Sequence, residues 1–478
     1  MSRKTLNKNN LIALGAETLA ELLLDITQGN ATQQRRLRME LSAHVGASDV
    51  ARDIRKRFSS LRRSTSYIEW RQQNAFAREL SDLVDLIRAR VAPDEPDEAF
   101  DLLWAFLSLA PSIYERVDDS HGTIGMVMSD AMEAISEAAP RLSIDGHTVA
   151  ERVFEGLQDN GYGQFDGAIP ALADALGTEG AERLKQLAWA VQDAPLSAGD
   201  AARYDFIDDP DRQHEMARED RDRTAGMVLQ DVADLQGDVD AYMARYSAEQ
   251  LTFHTIAPDV ARRLLDAGRA EEALSIVEGA RTRDRNLIIG DGKLDEVQVA
   301  CLDTLDRGEE AKTFLWDLFC QTLNPESLRQ HIRRLPDFED IEAADRARDH
   351  AMAHQNMMTA LSFFHNWQDP GSAAQLIETR FAELDGNAYY ILTPVADALE
   401  GDHPLAATLA RRAMILDTLE NKRSKRYRYA AKHLAECSSS DRQISEYGSH
   451  PTHAGFTASL RKTHPRKTAF WDRVPEGI

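Results

Sequence analysis

Four stretches in the second half of the chain share one plan. An apolar stripe ends, a short turn holds a glycine, and small residues open the next stripe. Leu264-Leu-Asp-Ala-Gly268-Arg-Ala-Glu-Glu-Ala273 and Leu302-Asp-Thr-Leu-Asp-Arg-Gly308-Glu-Glu-Ala311 lie 40 positions apart, glycine to glycine. Trp367-Gln-Asp-Pro-Gly371-Ser-Ala-Ala374 and Ala398-Leu-Glu-Gly401-Asp-His-Pro-Leu-Ala406 are looser copies, 30 apart. Glycine suits the left-handed residue that closes a helix, and alanine lets paired helices approach. A helix–turn–helix unit recurring every roughly 30 to 45 residues marks TPR-, HEAT- or armadillo-like arrays. The spacing drifts, so the expectation is an all-α, degenerate solenoid of helix pairs rather than a strict TPR.

Upstream, helices are read from apolar periodicity alone. Leu19, Leu22, Leu23 and Ile26 recur at i, i+3, i+4 and i+7. A second helix carries Leu37, Leu41 and Val45, and a third Val50, Ile54, Phe58 and Leu61. A fourth, from about Tyr67 to Arg90, carries Phe76, Leu80, Leu83, Val84 and Ile87 before Pro93 and Pro96. The next block opens at Asp97 with Phe100, Leu103, Trp104 and Leu107, and Thr148-Val-Ala-Glu151 reads as a capping box. With 26 glycines and 16 prolines in 478 residues, the chain lacks the turn residues of a β-rich protein. The expected plan is a basic N-terminal helical bundle over 1–92 and a middle helical unit over 97–192. An acidic linker or exposed loop follows over 193–223, where no apolar stripe is visible, and then a helical-repeat unit over 224–478.

Several function classes fall away. The longest apolar run, near 102–110, is far short of a bilayer span, and the N-terminus lacks the apolar core of a secretory signal. Cys301, Cys320 and Cys437 are widely separated with no CxxC, which excludes a disulfide framework and a cysteine-rich zinc site. A reducing cytoplasm is the expected location.

Templates for chemistry fail on spacing. Gly161-Tyr-Gly163 and Gly167 are spaced GxGxxxG after a helix, not GxGxxG after a strand. Read as a calcium loop from Asp159, position 12 is Pro170 rather than glutamate. Asp159, Tyr162 and Asp166 therefore stand only as a candidate pocket loop. Gly290-Asp-Gly-Lys293 lacks the insert of a phosphate loop. His350 and His354 sit at i, i+4, with Asp349 and His365 as distant helpers, but the residue after His350 is alanine, not the glutamate of HExxH. His450, His453, His464 and Cys437 are spaced too raggedly for a ligand set, and Asp337, Glu339 and Asp340 read as acids at a helix entry. No GxSxG is present. No catalytic residue, cofactor or metal is assigned.

Charge is the informative feature. Residues 1–90 hold 16 Lys+Arg against 10 Asp+Glu, and residues 421–478 hold 12 against 5. With −23 overall, the middle of the chain carries −36. Lys422, Arg423, Lys425, Arg426 and Arg428 interleave with Tyr427 and Tyr429, and Arg461, Lys462, Arg466 and Lys467 precede Phe470 and Trp471. Cations hold phosphates and aromatic faces stack on bases, so these clusters suit a nucleic acid. The overall acidity opposes a long polyanion, which ranks an acidic protein partner, or the acidic middle of the chain itself, ahead of it.

The chain resembles a bacterial family of uncharacterised all-helical proteins of about this length. The likeness is carried by His403-Pro-Leu-Ala-Ala-Thr408, Arg411-Arg-Ala-Met-Ile415, the run from Ser424 to Cys437, and His453 through Trp471. Leu335-Pro-Asp-Phe-Glu-Asp340 and Ser66-Tyr-Ile-Glu-Trp70 add to it. The last helices also resemble the tail of some zinc-finger proteins of the SWIM type, without the paired cysteines of such a finger. The resemblance implies an all-α fold and supplies no reaction. The expected function is a non-enzymatic interaction or scaffold protein, with a nucleic-acid-associated factor second and an enzyme of unrecognised type third. A protein partner is expected and a membrane is not.

Overall fold

The computed structural model describes residues 6–29, 33–34, 36–38, 41, 46–196, 198–202, 204–283, 291–475 and 477. Among the described residues every regular element is helical, and an isolated β-bridge joins Ile68 to Val117. The chain forms two units, Met1–Tyr246 and Ser247–Ile478.

Unit 1 runs α1 (Lys8–Ile12), α2 (Ala16–Thr27), α3 (Ala47–Arg63), α4 (Trp70–Leu86), α5 (Pro96–Leu107), α6 (Thr123–Ala138), α7 (Gly146–Gln158), α8 (Ala173–Asp193) and α9 (Pro210–Leu235), with short helical turns between them. α5 starts on Pro96, whose missing N–H is no loss there, and Asp97 and Glu98 complement the positive helix end. It is apolar on nearly every side, burying Phe100, Leu102, Leu103, Phe106 and Leu107, and so can be packed on both flanks. The stripe Val50, Ile54, Phe58 and Leu61 of α3 is buried, and Phe58 meets Phe106 at 5.9 Å between ring centroids. α7, α8 and α9 extend the same core, which is continuous from Val50 to Val232.

This continuity replaces the expected division into 1–92, 97–192 and a linker over 193–223. Much of the supposed linker is helix: α9 starts at Pro210 and packs along α8. Its buried face is made of Ala217, Ala225, Gly226, Val228, Val232 and Ala233. Small residues give close helix contact without a stripe of large apolar side chains, which is why the segment reads as exposed. The capping box also resolves differently. Asp145, not Thr148, caps α7, accepting from Thr148 N at 3.0 Å. The predicted helix with Leu37, Leu41 and Val45 lies largely outside the described residues.

Unit 2 runs α10 (Ala257–Asp266), α11 (Ala270–Arg283), α12 (Gly292–Thr304), α13 (Gly308–Thr322), α14 (Pro325–Ile332), α15 (Glu339–Met352), α16 (Met357–Trp367), α17 (Pro370–Thr379), α18 (Tyr389–Leu399), α19 (Pro404–Glu420), α20 (Tyr427–Ser440), α21 (His453–Thr463) and α22 (Thr468–Trp471). Apart from α21, each of these helices makes its main contacts with neighbours one or two along the chain, the stacking rule of a helical solenoid. Many starts carry side-chain caps: Asp291, Asn324, Asn356 and Asp369 accept from backbone N–H groups in the first turns of α12, α14, α16 and α17. The recurring turns use glycine less than expected. Gly268 takes the left-handed conformation after α10, but Asp306, Gln368 and Lys422 take it after α12, α16 and α19. Gly308 and Gly371 lie inside the helices that follow.

Gly386 fixes the approach of the α17–α18 turn to α19. A Cβ there would fall 2.1 Å from Ala413 O and 2.8 Å from Asp417 Cβ, so only glycine lets the two backbones touch. Gly386→Ala is expected to lower stability by about 1–3 kcal/mol through overpacking. Gly401→Ala, which meets nothing within 4 Å, should stay within about 0.5 kcal/mol of the parent. Urea unfolding of the two variants side by side checks this.

Candidate functional site

The C-terminal end of unit 2 is assembled on α19, which is buried over most of its length. Its alanines 406, 407, 410 and 413 admit α17, α18 and α20 at close range. The same helix carries Arg411 and Arg412, each 1% exposed. Desolvating a guanidinium is costly unless carboxylates and hydrogen bonds replace the lost water. Arg411 has them. Its Nη2 lies 3.2 Å from Asp397 Oδ1 and 3.1 Å from Glu400 Oε2, and its Nε lies 3.1 Å from Glu436 Oε2 without hydrogen-bond alignment. Burial opposes the charge on Arg411, but Glu400 and Glu436 overcome it, and its pKa ends above the ordinary guanidinium value. One cation thus ties α18, α19 and α20 together.

Arg412 holds the loop before α21 instead. Its Nη1 donates to Pro451 O at 2.6 Å, and its guanidinium lies 4.6 Å from the Phe456 ring centroid and 5.2 Å from that of Tyr447. Tyr447 in turn donates its hydroxyl to Asp441 at 2.6 Å, and burial together with that carboxylate pushes its pKa up to about 12. Among the described residues Arg412 has no carboxylate within ion-pair distance, and burial lowers its pKa. Among the described residues its Nε and Nη2, both ring nitrogens of His453, and the hydroxyls of Thr408 and Thr457 are buried without hydrogen-bond partners. The seam between α19 and α21 is therefore held by ring packing and one carbonyl contact, against a set of unmet polar groups.

On this base the two basic clusters come together. Lys467 Nζ lies 5.7 Å from the Tyr427 ring centroid, Tyr427 meets Phe470 edge-on at 6.1 Å, and Phe470 meets Trp471 at 4.9 Å. Arg461 lies over Trp471 at 4.8 Å. Arg423 pairs with Asp417 at 2.9 Å, whereas Arg426 donates to Asn387 Oδ1 at 3.0 Å and lies over Tyr389 at 4.6 Å. Arg428 lies over Tyr429 at 4.5 Å. Lys422, Lys425, Lys462 and Arg466 are exposed. Three tyrosines border the cations in the open: Tyr389 at 52%, Tyr390 at 71% and Tyr429 at 49% exposure. Tyr389, Tyr390 and Asn387 escape a sequence reading because only the Gly386 turn brings them beside Arg426. Arg411 and Arg412 escape it because nothing in the sequence separates a buried arginine from a solvated one.

The other candidates resolve into local structure. Cations of the basic N-terminal region face carboxylates of unit 1: Arg55 bonds Glu98 at 2.8 Å, Arg57 pairs with Glu79 at 2.8 Å, and Arg88 with Glu137 at 2.9 Å. In the 159–167 loop, Asn160 bridges Asp166 Oδ1 and Phe165 N, and Gln164 donates to Asp159 O at 2.7 Å. Phe165 is buried against Trp104, and Tyr162 stacks on Tyr114 at 5.0 Å. Asp159, Tyr162 and Asp166 thus belong to a self-bonded turn. His350 Nε2 meets Cys320 O at 2.8 Å and His354 Nδ1 meets Asn356 O at 3.1 Å, so the two rings face backbone groups rather than a common point. Among the described residues no group of three His, Cys, Asp or Glu side chains could hold a metal. Glu339 and Asp340 fall in the first turn of α15, behind Phe338. No helix among the described residues is long and apolar enough to cross a membrane.

A family model of unknown function, DUF6880, matches residues 1–473. The chain belongs to that family. No curated protein matches it in sequence. Among solved structures, a protein described as a circular tandem repeat protein with novel repeat topology and enhanced subunit contact surfaces is similar. It is 14% identical, covering 96% of this chain and 99% of that one at a TM-score of 0.13, too low to carry an argument.

Within this DUF6880 chain the two buried arginines are expected to respond differently to removal. Arg411→Met strands Glu436 and two partly solvated carboxylates and should cost about 2 kcal/mol after discounting for their exposure. Arg412→Met removes an uncompensated buried charge and should stay within about 1 kcal/mol of the parent. Equal losses in urea unfolding would contradict this assignment. A pH dependence follows from His453. Burial holds its pKa below the ordinary histidine value, with Asp441 opposing and Arg412 reinforcing the shift. The unfolded chain then takes up the proton first, so this contribution to stability is complete above the ordinary histidine pKa and is lost as pH falls below it. Between about pH 7.5 and about pH 5 the melting temperature should fall less in His453→Gln than in the parent.

Proposed function

We propose that this chain is a non-catalytic cytoplasmic binding protein that engages another macromolecule through the basic, tyrosine-bordered surface at the end of unit 2. The observation that carries the reading is the Lys467–Tyr427 contact, which joins two basic clusters more than thirty residues apart into one surface. Stacked helix pairs support it, because a solenoid presents extended side-chain surface on a rigid frame. The three free cysteines suit a reducing compartment. The likeness of the last helices to SWIM-type tails brings no zinc role, since Cys437 is a lone buried thiol whose pKa burial pushes up to about 12. A nucleic-acid-associated factor using the same cations is the second reading, favoured by the exposed Tyr390.

Tagged full-length chain, expressed in its native cell and recovered at moderate salt, tests the proposal against a variant carrying Lys422→Gln, Lys425→Gln, Lys462→Gln and Arg466→Gln. A stoichiometric macromolecular partner should come with the parent and fall by about tenfold with the variant. Recovery of no partner, or equal recovery with both chains, would overturn it.

A further inference from the structure

Resting on that reading, we infer that the occupant of this surface is an acidic protein segment, an extended Asp/Glu-rich stretch, and not a nucleic acid. The first ground is how cations are handled along unit 2. Elsewhere many of its arginines have a carboxylate partner: Arg269 pairs with Glu272 at 2.7 Å, Arg307 with Glu310 at 2.5 Å and Arg380 with Glu383 at 2.6 Å, and Arg281 and Arg283, which also lie over phenylalanine rings, pair with Asp295 at 2.6 Å and Glu249 at 2.8 Å. At the terminal surface Arg426, Arg428 and Lys467 are seated over tyrosine rings instead. A ring fixes where a cation sits and leaves its net charge uncancelled. The result is a row of positioned positive charges, joined by Lys422 and Lys425, that calls for an anion from outside the surface.

The second ground separates carboxylates from nucleotides. Binding of unpaired bases depends on open aromatic faces on which successive bases stack. Here Tyr389, Tyr427 and Tyr429 each already have a cation over the ring, and Tyr427 and Phe470 are buried. Among the described residues no cation lies over Tyr390, 71% exposed, which is one stacking platform where a strand needs a series. A short acidic peptide needs no stacking: guanidinium forks donate to carboxylates in bidentate geometry, and tyrosine hydroxyls donate to them too.

The third ground is Lys422. It holds φ +54°, the left-handed conformation, at the position after α19 where glycine is the favoured residue. A lysine there gives up stability and places an exposed ammonium at the edge of the surface, beside Arg423 and ahead of Lys425. Lys422→Gly thereby separates binding from folding, since it should raise stability while removing a contact.

The test measures anisotropy of a labelled peptide of about twelve residues, mostly Asp and Glu, and of a labelled single-stranded oligonucleotide of equal charge, against the full chain at about 50 and about 200 mM salt. The expected result is peptide affinity at least about tenfold above that of the oligonucleotide. Lys422→Gly should lower it several-fold while raising the melting temperature, and Lys425→Gln with Lys467→Gln should abolish it. Equal or tighter oligonucleotide binding would overturn the acidic-segment assignment and leave the binding role of the surface standing. The same holds if neither probe binds while a partner sensitive to neutralisation is still recovered from cells. Peptide binding untouched by the Lys425→Gln and Lys467→Gln changes would remove the surface as its site and overturn the inference.

Discussion

Arg411 sits at 1% exposure among Asp397, Glu400 and Glu436, and the end of unit 2 depends on that arrangement. The helix that carries it is otherwise built of alanines and aliphatic residues packed on α17, α18 and α20. Apolar packing alone leaves the rotation of such a helix loosely specified, because small side chains fit many registers. A buried cation that must find three carboxylates from two neighbouring helices admits one. Buried ion pairs are weak sources of stability and better sources of specificity, and this one sets which face of α19 looks toward α18. Arg412, next in sequence, then necessarily points toward α21 and Tyr447.

The basic surface inherits its order from that choice. Gly386 lets the turn before α18 rest on Ala413, which places Asn387 and Tyr389 within reach of Arg426. Arg412 and Phe456 seat α21, which places Lys467 over Tyr427. Both placements are second-hand consequences of α19, and neither basic cluster is positioned by its own sequence neighbours alone. The proposed binding surface is therefore a property of how helices are stacked rather than of a local motif.

Helices with large apolar stripes were legible in the sequence: Val50, Ile54, Phe58 and Leu61 on α3, or Phe100, Leu103 and Leu107 on α5, are buried as their spacing requires. α9 was not, because alanine and glycine do its packing and its charged residues dominate any count. The turns were legible as turns, but their left-handed residue was misassigned, since Asp306, Gln368 and Lys422 accept the conformation that glycine favours and the structure overrides local preference there. The cations of the candidate surface were legible as clusters. Their convergence was not, since it rests on contacts across thirty or more residues, and the bordering Tyr389 and Tyr390 carry no sequence signal for it.

The seam between α19 and α21 has a chemical consequence of its own. Cys437 is fully buried, its thiol directed at Thr408 O at 3.7 Å, in a core shared with Phe456 and Leu460 of α21. While α21 stays down, that sulfur is shielded from oxidants and alkylating agents and is held almost wholly in its unreactive protonated form. In a solenoid the last helices can lift without disturbing those further back, because each leans only on its neighbours. The terminal seam, with its unmet polar groups, gains water whenever it parts. Shielding of the Cys437 thiol and seating of α21 are thus one and the same packing, and neither can be lost without the other.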